Sequence, residues 1–168
     1  MARFDDVKAS FWSDSTESPP VTDEQVGEAE RLLGVRLPAS LVELLRVRNG
    51  GYVADAWNAF PTTKRTSWSA DHVPFEQLAG ACEPEHWPSL ANTPYLIEEW
   101  ELPQGLVLLS GDGHYWVALD YRACGPAGEP SVTWFECEAD LDELPLAKDF
   151  RTFVEGLTAS DDFFDETE

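Results

Sequence analysis

Residues 106–120, with the sequence LVLLSGDGHYWVALD, predict the centre of the fold. An apolar run of strand length, 106–109, leads into turn chemistry that includes Asp112-Gly113, and Asp-Gly is a strong signal for a β-hairpin. The apolar run 115–119 then predicts the returning strand. After a turn rich in Gly and Pro, residues 131–135 (SVTWF) predict a third strand, so we expect an antiparallel meander.

Helical patterns flank this sheet. Thr22 and Gln25 have the spacing of a capping box, apolar residues follow at helical intervals, and Gly34 is a typical helix end. These signals predict a helix over 22–33. A second predicted helix begins at Leu37-Pro38 and ends at the Asn-Gly-Gly of residues 49–51.

The remaining patterns are shorter. Residues 52–92 show little periodicity and predict short strands and loops, with a strand or turn at 72–78. A short helix is predicted from 93 to 100. A closing helix is predicted to begin at Leu146-Ala147, and its apolar stripe contains Phe150, Phe153, Val154 and Leu157.

Helices and strands are therefore segregated along the chain, which favours the α+β class. We expect a mainly antiparallel meandering sheet flanked by two N-terminal helices and a C-terminal helix. Residues 1–21 are interpreted as an N-terminal segment and linker, and residues 22–157 as the domain. Residues 158–168 are interpreted as a frayed acidic tail.

Charge restricts the partners. The chain has 32 acidic residues and 11 Lys or Arg, a net charge of −21. Residues 129–168 contribute 13 acids and only two bases. Such a charge repels nucleic acid and anionic membranes and attracts basic proteins. We therefore expect a basic protein partner, and neither nucleic acid nor membrane binding.

The cellular compartment and the oligomeric state of the protein are predicted from its hydrophobic runs and its cysteines. No apolar run approaches the roughly 18 residues of a membrane span, and the N-terminus has no apolar signal core. Three cysteines, an odd number, fit reduced thiols in the cytoplasm better than a disulfide framework. We expect a monomer or a weak homodimer.

Motifs for catalysis or cofactors are missing from the sequence. It contains no phosphate-binding loop, dinucleotide fingerprint, zinc-protease motif or nucleophile elbow. Gly111-Asp112-Gly113-His114 could bind metal or move protons, but a plain hairpin turn is the favoured interpretation. Cys82 and His86 lie at a zinc-compatible spacing, yet no second pair completes four ligands. We expect no metal, no cofactor and no enzymatic activity.

Two carboxylate clusters occur, at 98–101 and at 136–143. Paired carboxylates can hydrolyse glycosides, but charge runs usually form solvated faces. Among specific roles, docking to a basic partner fits them better than catalysis. Tryptophans divide similarly: Trp116 and Trp134 are expected to be half in the core and half on the sheet surface, whereas Trp57 and Trp68 in loops could anchor an interface or pack inside.

The helical segment VGEAERLLGVRLP at 26–38, followed by Asn-Gly-Gly at 49–51, resembles the N-terminal signature of the SUKH superfamily. This is the family of the yeast Smi-one/Knr-four regulators and of many bacterial immunity proteins. Residues 111–122 resemble its central hairpin, residues 129–132 lead a strand as in bacterial members, and residues 147–157 resemble its closing helix. The resemblance covers about 22–157.

The resemblance implies an α+β fold and a role as an immunity protein that binds and neutralises a polymorphic toxin, often a nuclease. The basic clefts of nucleases suit a partner as acidic as this one. We expect docking on the sheet and the loops around it. The predicted partner-binding residues are Asp112, Tyr115, Trp116, Trp134, Glu136 and Glu138, with Trp57 and Trp68 as loop anchors.

Two other functions remain open from the sequence. One is a regulatory scaffold that binds signalling or cell-wall synthesis proteins, although the compact length shows no long disordered arms. The other is a carboxylate-based hydrolase, which would need a pocket with two converging carboxylates.

Overall fold

Five α-helices and eight β-strands lie within residues 3–14, 18–82, 89–137 and 141–163, the part of the chain that this computed structural model describes. The helices are Phe4–Ser10 (α1), Asp23–Leu33 (α2), Ala39–Leu45 (α3), Thr93–Glu99 (α4) and Phe150–Glu155 (α5). The strands are Gly51–Tyr52 (β1), Ala59–Pro61 (β2), His72–Pro74 (β3), Gln77–Leu78 (β4), Leu106–Gly111 (β5), Tyr115–Asp120 (β6), Ser131–Glu136 (β7) and Asp142–Ala147 (β8).

Local signals set the ends of α2 as the sequence predicts. The Thr22 hydroxyl accepts a hydrogen bond from the Gln25 backbone N–H at 3.1 Å, and the Gln25 side chain accepts one from the Thr22 backbone N–H at 3.0 Å. Gly34 ends the helix in the left-handed conformation, with φ 69°. The capping box and the glycine stop are therefore both confirmed.

The main sheet has four antiparallel strands in the order β5-β6-β7-β8. Two smaller antiparallel pairs, β1 with β4 and β2 with β3, form from the middle of the chain. The predicted α+β class and meander are confirmed. The meander is one strand longer than the sequence indicated.

Strand β8 corrects the prediction that the closing helix begins at Leu146-Ala147. Ala147 pairs with Val132 of β7, and α5 begins only at Phe150. The Asp149 side chain caps α5 by accepting a hydrogen bond from the Thr152 N–H at 2.7 Å. The sequence DELPLA contains charged residues and a proline, which are rare in strands, so local propensity did not reveal β8.

Strands β5, β6 and β7 of the main sheet are buried on both faces, whereas the edge strand β8 is partly exposed. One face belongs to the main core and includes Val117, Leu119 and Trp134. The opposite face packs against α4 and includes Trp116, Ala118 and Phe135. Side chains therefore alternate between two cores along β6 and β7, because successive strand residues point to opposite sides.

Described segments near both ends of the chain pack onto the rest of the domain. Phe4, Val7 and Phe11 are fully buried in the main core, so the segment placed before the domain packs inside it. At the other end Thr158 pairs with Ala59, and Ser160–Phe163 forms a 3-10 turn. Residues 158–163 of the expected frayed tail are thus folded, and 164–168 lie outside the described residues. None of the helices in the described ranges is long and apolar enough to cross a bilayer.

Candidate functional site

Four of the predicted partner-binding residues meet at one end of the main sheet. The Tyr115 and Trp134 rings stack at a centroid distance of 4.6 Å, and Trp68 meets Tyr115 edge-on at 5.7 Å. The Trp134 indole N–H donates to Glu136 Oε1 at 3.0 Å. The arrangement follows from register: Tyr115 faces Glu136 across β6 and β7, which makes Trp134 its diagonal neighbour on the same face.

Trp68 reaches this cluster on the loop between β2 and β3. The Ser67 backbone N–H donates to Glu136 Oε1 at 2.6 Å, so one carboxylate ties the loop to β7. The loop is closed at its base by a hydrogen bond from the Thr62 N–H to the Asp71 carbonyl. Trp68 nevertheless stays 47% exposed, and this combination of fixed backbone and exposed ring is typical of interface anchors.

Two exposed carboxylates lie near the same tyrosine. Asp112 occupies the β5–β6 turn, where its side chain accepts a hydrogen bond from the His114 backbone N–H at 3.0 Å. Glu76 precedes β4 and is also exposed. Burial raises the pKa of Tyr115 above its usual value, and the negative charges of Asp112 and Glu76 raise it further. We call Trp68, Glu76, Asp112 and Tyr115 the acidic aromatic patch.

The expectation that Trp116 and Trp134 lie half on the sheet surface is wrong. Trp116 is 3% exposed and Trp134 is 1% exposed, because the sheet is covered on both faces. Trp134 lies beneath the patch and supports Tyr115. Trp116 points to the opposite face, under α4. Partner contact by either residue stays a prediction.

The other two predicted residues lie elsewhere. Trp57 is half-buried, and its indole N–H donates to the Ser10 hydroxyl at 3.1 Å, which joins it to the end of α1. Glu138 lies outside the described residues. The structure therefore does not bring Trp57 to the patch.

The described carboxylates between 136 and 143 are divided between the two faces of the sheet, with Asp142 directly opposite Glu136 in the β7–β8 pairing. Glu136 shares a sheet face with Trp134, whereas Glu143 lies opposite Phe135 on the other face. In the described part of the chain, no group of three or more His, Cys, Asp or Glu could hold a metal ion. Cys82 is described, but His86 is not, so their spacing is untested.

Near the opposite end of β6, carboxylates and a tyrosine also occur, but there an arginine of the chain neutralises the carboxylates. Arg122 donates to Asp120 at 2.8 Å and to Glu143 at 2.9 Å, which bridges the end of β6 to β8. Burial acts to raise the pKa of Asp120, but hydrogen bonds from Arg122 outweigh it and hold that pKa below its usual value. The Tyr121 hydroxyl donates to the Arg36 carbonyl at 2.6 Å.

Two residues near the patch were missed by sequence reasoning. Glu76 lies in a stretch without periodicity, and only the pairing of β1 with β4 fixes its place. Trp100, which is 38% exposed, packs its ring over Gly113 of the hairpin turn. A side chain at Gly113 would meet that ring at 2.5 Å, so the turn glycine is needed for this contact as well as for its φ of 103°.

Comparison with known families gives one match over most of the chain. A family model described as SMI1 / KNR4 family (SUKH-1) matches residues 20–156. This range contains the main sheet and every residue of the patch. A search of curated proteins found no match.

Proposed function

Because the chain belongs to the SMI1 / KNR4 family (SUKH-1), we propose that it is an immunity protein that binds and neutralises a polymorphic toxin. Many bacterial members of the superfamily that the sequence resembles have this role. Inhibition would occur by protein–protein contact, with no chemistry performed by the chain itself. The fold alone does not identify the toxin, because one fold serves many partners.

The acidic aromatic patch carries this proposal. It combines an exposed tryptophan on a fixed loop with two exposed carboxylates beside a tyrosine. Aromatic anchors surrounded by charge are typical of surfaces that bind proteins. The patch lies at one end of the sheet, where loops from three parts of the chain meet and can present a continuous surface.

The charge of the chain supports a basic partner. Eleven Lys and Arg cannot neutralise 32 carboxylates, so the surface as a whole is strongly negative. Nuclease toxins bind phosphate backbones through positive clefts, and a negative protein would be steered to such a cleft and could cover it. We therefore propose a nuclease-type toxin, met in the cytoplasm where its nucleic acid substrate lies.

Co-expression tests the proposal directly. Cells that carry the toxin gene adjacent to the gene for this chain should survive only when this chain is also made. The purified proteins should form a stable complex. Survival that does not depend on this chain, or a toxin that kills cells despite it, would refute the immunity role.

The salt dependence of the association rate tests whether the acidic surface steers the toxin towards this chain. Between low and high salt the association rate with the toxin should fall by about tenfold or more, because screening removes long-range steering. Stopped-flow measurements at several salt concentrations would show this fall. A rate that does not change with salt would exclude steering by the acidic surface.

A further inference from the structure

The Tyr115 ring is largely buried, whereas its hydroxyl is not among the fully buried side-chain atoms and forms no hydrogen bond to another described residue. Tyr115 as a whole is only 8% exposed. Tyr121, the residue after the end of β6, is 3% exposed, and its hydroxyl donates a hydrogen bond to the Arg36 carbonyl at 2.6 Å. Buried tyrosine hydroxyls usually find a partner, as Tyr121 does. The hydroxyl of Tyr115 is accessible instead, so a group from another molecule can form a hydrogen bond with it.

The two carboxylates beside Tyr115 are also uncompensated. Neither Asp112 nor Glu76 forms an ion pair with any Lys, Arg or His in the described ranges. At the other end of the strand, Arg122 neutralises Asp120 and Glu143. Two nearby carboxylates without a counter-ion attract a cation from a partner.

The aromatic part of the patch suits the same cation. Elsewhere the chain places its own arginines over rings: Arg122 over Phe135 at 5.5 Å and Arg151 over Phe4 at 5.1 Å. The exposed ring of Trp68 has no such cation from the described residues. Tryptophan is the best aromatic partner for a cation, so its exposed ring adds a second favourable contact at the same place.

We propose that the acidic aromatic patch is a receptor for one arginine side chain of the partner. The guanidinium would donate hydrogen bonds to the carboxylates of Asp112 and Glu76 and to the Tyr115 hydroxyl, and would stack on Trp68. Its planar set of five donors can serve several acceptors while one face lies on a ring, which a lysine ammonium cannot do. This proposal rests on the proposed binding function and names the chemistry that the partner must present.

A peptide titration tests the receptor without the toxin. The full-length chain is titrated with the capped tripeptide Gly-Arg-Gly and with its matched counterpart Gly-Lys-Gly, and the indole N–H signals are followed by NMR. We expect the arginine peptide to bind in the millimolar range and to shift the Trp68 signal. Equal shifts with the lysine peptide, or no shift at Trp68, would overturn the assignment.

Charge-matched variants locate the contact. Asp112→Asn and Glu76→Gln should each weaken binding of the arginine peptide by about tenfold, as expected for a central charged contact. The control is Glu129→Gln, which makes the same change of charge in the exposed turn at the opposite end of β6 and β7. It should weaken binding less than about twofold, because it acts only through screened long-range charge. Equal losses in all three variants would overturn the proposal.

The same variants separate this proposal from the immunity role. If the chain protects cells but Asp112→Asn weakens the toxin complex no more than Glu129→Gln, the receptor is wrong and the immunity role stands. If the arginine peptide binds at Trp68 but no toxin is neutralised, the receptor stands and the immunity role is wrong.

Discussion

Carboxylates and a tyrosine lie at each of the two ends of strand β6, but only at one end does the chain itself supply a cation that pairs with the carboxylates. Just beyond the end of β6, Arg122 pairs with Asp120 and also reaches Glu143 of β8, and the Tyr121 hydroxyl donates to a backbone carbonyl. At the beginning, the carboxylates of Asp112 and Glu76 have no ion-pair partner among the described residues, and Asp112 accepts a hydrogen bond only from the His114 backbone N–H. The first set completes its interactions on folding, and the second set leaves them for another molecule.

In a very acidic protein, the presence or absence of an ion-pair partner distinguishes carboxylates that stabilise the fold from carboxylates that are available for binding. Composition cannot make this distinction, because all 32 carboxylates look alike in sequence. A carboxylate that is matched by a fixed cation contributes to folding. An exposed carboxylate without a fixed cation stays hydrated, and it remains available to pair with a cation of another molecule.

The largest effect on stability should come from removing Arg122, the cation that pairs with Asp120 and Glu143. Arg122→Ala removes the shared counter-charge of Asp120 and Glu143 and uncovers the Phe135 ring. We expect the free energy of unfolding to fall by about 1–2 kcal/mol, a modest loss because the side chain is one-third exposed. Urea unfolding measures the loss.

Arg31→Ala is the matched control for that variant. Arg31 pairs with Glu28 on the exposed face of α2, and such a pair contributes only about 0.2–0.5 kcal/mol. Equal destabilisation by both variants would show that the ion pairs of Arg122 stabilise the fold no more than an exposed ion pair does.

A smaller effect should distinguish the two tyrosines. Tyr121→Phe removes the hydrogen bond to the Arg36 carbonyl and should cost about 1 kcal/mol of unfolding free energy. Tyr115→Phe removes a hydroxyl without a partner in the described chain and should change stability by less than about 0.5 kcal/mol. Thermal or urea unfolding compares the two, and a larger loss for Tyr115→Phe would reverse the assignment of roles.

The smallest effect is expected from pH. The pKa of Asp120 is lower in the folded state than its ordinary value of 3.8, so its ionised form favours folding. This stability is present above pH 4 and is lost as pH falls through the folded-state pKa. Melting temperatures measured from pH 7 to pH 3 should decline less steeply below pH 4 in Asp120→Asn than in the natural sequence. Identical slopes would contradict the contribution of this ion pair.

Several features were predictable because their signals are local. The capping box at Thr22, the glycine stop at Gly34 and the Asp-Gly hairpin each depend on residues within four positions of one another. The same holds for the tyrosine and the aspartate of the patch, which flank that hairpin turn. The family match over 20–156 agrees with the segments that resemble the SUKH superfamily.

Other features depend on partners that are distant in the sequence. Strand β8 has poor strand propensity and exists because β7 offers it a hydrogen-bonded edge. Helix α1 is acidic and short, yet Phe4 and Val7 complete the main core against α5. The half-surface placement expected for Trp116 and Trp134 was wrong for the same reason, since α4 and the main core cover these two side chains.

The sequence by itself determined the α+β class, the ends of α2, the hairpin and the net negative charge from which we propose a basic partner, because each depends on composition or on neighbours in the chain. Only the tertiary structure decided which carboxylates are neutralised and which are not. Arg122 reaches Glu143 across 21 positions, and Trp68 reaches Tyr115 across 47. Those contacts follow from strand pairing and loop closure, and they place next to the beginning of β6 the exposed groups that we propose as the binding surface.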